Sequence, residues 1–183
     1  MEWIMELDAN ILLFIQEFIR NPVLTPVITV ITSLGNGGMI WILISLGLLI
    51  PKKTRPIGCM SILALLASLL INNMILKNLA ARTRPYEVIE GLMPLVARPR
   101  DYSFPSGHTG SSFASAWVLY RKLPKRYGIP ALILAGLIGL SRLYVGVHYP
   151  TDVLAGLFTG ICCGIIALML ADMIDKYLQA GVS

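Results

Sequence analysis

The chain has 183 residues, 56% of them hydrophobic and 14% charged, with a mean hydropathy of +0.73; a water-soluble domain of this size does not carry such a composition. The formal charge of +5 would suit nucleic acid in a soluble protein, but here the basic residues fall in short connections and in three motifs, which argues against nucleic-acid binding. The length accommodates one bundle of membrane helices, so a single all-α domain over residues 1–183 is expected, without appended modules.

Residues 3–19 mix Glu6, Asp8 and Glu17 with Leu, Ile and Phe, the pattern of an amphipathic helix lying on the membrane interface. They lack the basic start and small-residue cleavage site of a signal peptide, so the segment is expected to stay in the mature protein. Six apolar runs follow, at residues 22–34, 39–50, 57–79, 109–119, 128–144 and 153–173, and they predict six transmembrane helices. Several are shorter than the ~20 residues of a perpendicular span, so flanking polar residues must extend into the bundle. Trp3 and Trp41 read as interfacial anchors. Cys59, Cys162 and Cys163 lie in apolar runs and read as small, buried, reduced side chains. Asn72 and Asn73 suit hydrogen bonds between helices; Asn73, one turn before Lys77, also suits positioning that lysine. Gly156, Gly160 and Gly164 recur every four residues, a ridge for close helix packing in lipid.

Lys52, Lys53 and Arg55 fill one connection and Arg121, Lys122, Lys125 and Arg126 another, and the positive-inside rule places both in the cytoplasm. Six alternating spans in the cell membrane then put both termini on the cytoplasmic side. Arg82, Arg84, Arg98, Arg100 and Arg142 fall near the opposite face, with Lys77 slightly below it.

Three segments carry the chemistry: Lys77 with Arg84-Pro85, then Pro105-Ser106-Gly107-His108, then Ser141-Arg142 leading to His148 and Asp152. His148 and Asp152 stand four residues apart, on one face if the segment is helical. A carboxylate there can hold one ring N–H and leave the other nitrogen free to attack, which makes His148 the candidate nucleophile. Ser106 and Gly107 just precede a predicted helix, where backbone N–H groups can cradle phosphate oxygens; the same turn can simply cap the helix. Lys77, Arg84 and Arg142 supply positive charge for a phosphoryl group, and as a trio in pattern they outweigh a snorkelling lysine and an interface anchor. Ser141 either bonds a phosphate oxygen or packs its helix. His108, His148 and Asp152 could also be read as metal ligands, but three fixed cations repel a divalent ion and attract an oxyanion. No metal and no cofactor is expected.

Together the three segments resemble the signature of the type 2 phosphatidic acid phosphatase superfamily: Lys, six residues, Arg-Pro; Pro-Ser-Gly-His; Ser-Arg, five residues, His, three residues, Asp. Every position of that pattern is filled. The resemblance implies a metal-independent membrane phosphatase in which His148 becomes a phosphohistidine that water hydrolyses. Asp152 would orient His148, and His108 would protonate the departing oxygen and later help activate water. The expected partners are a lipid phosphate and the membrane lipids. An outward site fits an isoprenoid diphosphate such as undecaprenyl diphosphate; phosphatidic acid and phosphatidylglycerophosphate are the alternatives. A catalytically dead transporter or scaffold is the reading from another class, and the intact motifs weigh against it.

The connection over residues 86–103 is where substrate choice is expected. Residues 92–96 form an apolar patch suited to a lid, while Arg98 and Arg100 are candidates for meeting a second phosphate and Tyr86 for substrate recognition. Equally open is an anchored loop whose Arg98 and Arg100 are solvated or paired with Glu87, Glu90 or Asp101.

Overall fold

Glycine, proline and the motif residues interrupt this chain, and what lies between them is helical. The computed structural model describes residues 2–180, with no strand among them. Helix α1 (Glu2–Phe14) runs on through a π-helical turn, Ile15–Ile19. Helices α2 (Leu24–Leu34) and α3 (Met39–Leu49) flank a 3-10 turn at Asn36–Gly38. There Gly37 and Gly38 take φ of +58° and +71°, open to glycine without strain. Helix α4 (Arg55–Ser68) passes through a π-helical stretch, Leu69–Leu76, into α5 (Lys77–Ala80). The short α6 (Pro85–Val88) follows, then α7 (Gly107–Lys122), α8 (Lys125–Tyr144) and α9 (Pro150–Ala180).

All six apolar runs are helical, and the all-α class holds. The first two are each short for a separate crossing. At 11 residues each, α2 and α3 are ~16 Å long, well short of a hydrocarbon core of ~30 Å. They meet at 50° and together are long and apolar enough for one crossing, as Arg55–Val88, Lys125–Tyr144 and Pro150–Tyr177 are singly. The 16-residue α7 packs against α4, α8 and α9.

The start of the chain packs at the motif end of the bundle. Asp8 of α1 bonds the Thr151 backbone at 3.1 Å and Arg82 at 2.8 Å. Leu12 is buried with Leu92 and Tyr149, and Arg20 donates to the Tyr144 carbonyl at 2.8 Å. These partners all lie at the motif end. Helix α9 begins there and descends until Asp172 meets Lys122, the last residue of α7, at 3.5 Å. Helix α1 and the far part of α9 therefore pack at opposite ends of the bundle.

The interior is small and hydroxylated, the perimeter large and apolar. Ser45 donates to Ser61 and Ser61 pairs with Ser115, each at 2.7 Å, so hydroxyls stitch α3, α4 and α7 together in the absence of water. Val27, Leu43, Leu66, Ile133, Leu140 and Phe158 point outward, as lipid-facing side chains of a membrane protein do. Trp3 is exposed on α1, but Trp41 is wholly buried and donates to Ser112 at 2.8 Å; it is a core residue, not an interfacial anchor. Cys163 is buried, whereas Cys59 and Cys162 are exposed on the perimeter, and all three are free thiols. Asn72 bonds Ser68 of its own helix at 2.9 Å. The glycine ridge of α9 lies on α7, backbone against backbone.

Candidate active site

Three local devices bring the motifs together. Lys77 leaves the π-helical stretch buried, while its neighbours Ile75, Asn78 and Leu79 are exposed. Ala81, at φ +44°, makes a left-handed turn that costs a residue with a Cβ about 1 kcal/mol. It ends α5 and sends Arg82 and Arg84 back over the bundle. Between α8 and α9, Gly146 turns at φ +75° and leaves His148 buried two residues before α9.

His148 Nδ1 lies 3.3 Å from Asp152 Oδ2, and Nε2 lies 3.1 Å from Arg84 Nη1. A guanidinium can only donate, so Nε2 is the acceptor and the ring proton belongs on Nδ1, against the carboxylate. Asp152 is itself held on every side: Arg82 reaches Oδ1 at 2.7 Å, while the Tyr149 N–H, at 2.9 Å, and the Ser103 hydroxyl reach Oδ2. Burial pushes the His148 imidazole down, to about 4. The Asp152 hydrogen bond raises it and the Arg84 charge lowers it again, so the ring is neutral at neutral pH and carries a lone pair on Nε2.

The three cations face the same space. Arg84 also donates from Nη1 to the Val147 carbonyl at 2.7 Å. Arg142 donates from Nη1 to Thr32 at 2.7 Å, and its buried Nε has no partner. Lys77 pairs with Asp101. His108, at the start of α7, places Nε2 3.0 Å from Asn36 Oδ1. A Cβ on Gly35 would come within 2.7 Å of its ring, so the bend between α2 and α3 forms the seat of that imidazole. A cavity of about 470 Å3 joins Lys77, Arg84, His108, Arg142 and His148, then continues between α3 and α4 past Ile42, Leu46, Leu66 and Leu69.

Other expected site residues fall elsewhere. Ser106 is fully buried; its N–H donates to the Asp152 carbonyl at 3.0 Å, and its hydroxyl accepts from Thr109 at 2.9 Å. It caps α7 and ties α7 to α9, and Gly107 alone of that pair lines the cavity. A Cβ at Gly107 would stand 2.6 Å from Asn73 Oδ1, the tip of an exposed side chain that can swing aside. Ser141 donates to the Ile138 carbonyl of its own helix at 2.6 Å. Tyr86 donates to the Pro99 carbonyl at 2.7 Å and lies beneath Arg98, 5.5 Å from ring centroid to guanidinium carbon. Tyr86 and Arg98 border a separate open cavity of about 700 Å3 within the outer loop, while Arg100 is exposed and lines neither cavity. Thr32, Asn36, Arg82, Asp101, Ser103 and Asp8 were not foreseen as site residues. Arg82, between Lys77 and Arg84, and Asp8, an acid on an otherwise greasy helix face, gave a signal; Thr32 and Asn36 gave none.

A helical membrane bundle that sets a buried His–Asp pair beneath three cations, over an apolar cleft, has the build of a membrane phosphatase. The PAP2 superfamily model matches residues 58–175, and the chain belongs to that superfamily. It is 36% identical over 121 residues to an undecaprenyl-diphosphatase of Sulfolobus acidocaldarius, covering 66% of this chain and 58% of that protein. Against phosphatidylglycerophosphatase B of Bacillus subtilis it is 32% identical over 174 residues, covering 88% of this chain and 82% of that protein. The crystal structure of a transmembrane PAP2-type phosphatidylglycerolphosphate phosphatase from Bacillus subtilis superposes with a TM-score of 0.78 at 30% identity, covering 95% of this chain and 89% of that one.

Proposed function

We propose that this chain is a metal-independent membrane phosphatase that removes a terminal phosphate from a lipid, with an isoprenoid diphosphate such as undecaprenyl diphosphate as the substrate. Phosphatidylglycerophosphate and phosphatidic acid are the alternatives. The observation that carries the reading is the placement of His148, Nδ1 against Asp152 and Nε2 beside Arg84, at the head of an apolar cleft that Lys77 and Arg142 also line. The lipid tail lies between α3 and α4, and its phosphate binds among Lys77, Arg84 and Arg142.

In the first step Nε2 of His148 bonds to phosphorus and the bond to the departing oxygen breaks, while His108, which takes up a proton from solvent as the substrate's negative charge enters beside it, delivers that proton to the oxygen. In the second, water attacks the phosphohistidine, His108 takes the water's proton, and the nitrogen–phosphorus bond breaks. Asp152 steadies the charge that forms on His148. Asn36 accepts one N–H of His108 and leaves the other nitrogen to face the leaving group.

The two basic connections lie at the end opposite the site, so the site faces outward, with α1 on the same outer surface and the end of α9 toward the cytoplasm. The test is phosphate release from purified lipid phosphates in detergent with chelator present, and from substrate added to sealed right-side-out vesicles. Isoprenoid diphosphate is expected to turn over fastest, and in the vesicles without permeabilisation. No release from any lipid, by wild type and His148→Ala alike, sinks the enzymatic reading. Release only after permeabilisation reverses the orientation.

Leaving-group chemistry gives a second check. A diphosphate expels a phosphate, which departs more readily than the alkoxide of a monoester, so acid catalysis matters more for the monoester. Loss of a general acid costs roughly 100-fold or more, and His108→Ala is expected to slow phosphatidic acid hydrolysis more steeply than isoprenoid diphosphate hydrolysis. Asn36→Leu should repeat that contrast at smaller amplitude. Equal losses on both lipids would remove His108 from the leaving-group role.

A further inference from the structure

The sequence suggested Asp101 as a partner for Arg98 or Arg100, yet it sits on the phosphate cations. Arg84 donates from Nη2 to Asp101 Oδ1 at 2.7 Å and from Nε to the Asp101 carbonyl at 2.9 Å, while Lys77 pairs with Oδ2. One carboxylate thus bridges two cations in the way two oxygens of a phosphate would. It also lines the cavity that holds His148, His108 and Arg142.

The residue is built to leave. Its side chain is 55% exposed, against 7% for Lys77 and 4% for Arg84, so solvent can receive the carboxylate and the cations stay behind. The loop is pinned on both sides, by the Tyr86 hydroxyl on the Pro99 carbonyl and by the Ser103 N–H on the Arg82 carbonyl at 2.8 Å. Displacement therefore needs a movement of residues 100–102 alone. Burial tends to raise the Asp101 carboxyl, but its hydrogen bond and charge contact with Lys77, then those with Arg84, bring it down to about 2. Mild acid does not open the site.

Charge decides what displaces it. The cleft opens toward lipid, where phosphodiester headgroups with one negative charge each are at very high local concentration. Without Asp101 three cations would hold them. A terminal phosphate or diphosphate brings two or more charges to the same cations and outcompetes a single carboxylate; a phosphodiester brings no more charge than the carboxylate and fits it less well. Resting on the phosphatase reading above, we propose that Asp101 is a specificity-determining residue that occupies the Lys77–Arg84 pair and yields only to headgroups of two or more negative charges.

Asp101→Asn and Asp101→Ser remove the charge, with Asp101→Glu as the variant that keeps it. A charge-assisted contact is worth enough for about a tenfold change in affinity. The Asn and Ser variants are expected to lower KM for the lipid phosphate about tenfold while kcat does not rise, and to bind inorganic phosphate more tightly by calorimetry. Phosphatidylglycerol micelles, inert toward wild type, should become competitive inhibitors of both, and Asp101→Glu should restore the exclusion. If KM and phosphate affinity stay the same or weaken, Asp101 is a structural support and the proposal fails. It fails also if phosphate tightens while phosphatidylglycerol remains inert, because selection against diesters is then absent. Calorimetry reads the competition without turnover, so an inactive wild type would overturn the phosphatase reading and leave this measurement standing.

Discussion

His148→Ala is expected to abolish lipid phosphate hydrolysis, a loss on the order of 10⁴-fold or more, because it removes the atom that forms the covalent bond. The side chain is 2% exposed, and the carboxylates near it are already engaged, Asp152 by Arg82, Ser103 and the Tyr149 N–H and Asp101 by Lys77 and Arg84. Wild-type protein mixed briefly with radiolabelled substrate and quenched in base should retain an acid-labile phosphoryl group; the variant should retain none. Folding serves as the control, since alanine leaves Asp152 its contacts with Arg82, Ser103 and the Tyr149 N–H. A folded variant that keeps more than about a hundredth of the rate, above what the remaining cations provide on their own, would show that water attacks directly. His148 would then be an orienting group.

The motifs were legible because chemistry restricts them. His148, Asp152, Lys77, Arg84 and Arg142 were named from the family pattern together with their spacing and charge, and the structure brings His148, Lys77, Arg84 and Arg142 to one cavity with Asp152 held against His148. Hydropathy reports how apolar a run is and not where its axis points. The bend between α2 and α3 at Asn36–Gly38 therefore escaped it. Trp41 was misread for a related reason: tryptophan is common at interfaces, and only the fold brings Ser112, 71 positions away, to its indole N–H. Ser106 fits the phosphate motif, but its N–H is spent on the Asp152 carbonyl, a contact between two helices that no local pattern records. Asp8 and Arg82 show the same limit at the site itself. They form an ion pair that reaches Asp152, so the N-terminal helix steadies the carboxylate beside His148 through a partner 74 positions away.

Gly160→Leu is expected to destroy the site through packing alone. A Cβ at Gly160 would lie 2.5 Å from the Gly110 carbonyl oxygen, at Gly156 2.7 Å from the Ser106 carbonyl, and at Gly164 2.9 Å from the Ala114 carbonyl. The obstacles are backbone atoms of α7, with no flexible side chain to give way, so the helices must part. Overpacking of this kind costs about 3 kcal/mol or more where nothing can move aside. Parting them also breaks the bond from the Ser106 N–H to the Asp152 carbonyl, 3.0 Å long, which separates the end of α7 that carries His108 from the end of α9 that carries Asp152. The variant is expected to lose its monodisperse peak in detergent; any fraction that folds should have lost roughly 100-fold in rate, the scale that misplacing a catalytic group by about 1 Å brings. Gly160→Ala should fall between, and Gly136→Leu should match wild type, because a Cβ at Gly136 meets nothing within 4 Å. If Gly160→Leu keeps both its melting temperature and its phosphate release, close contact of α7 with α9 is not what holds the two histidines in register. The short spacing of the glycine ridge would then need another cause.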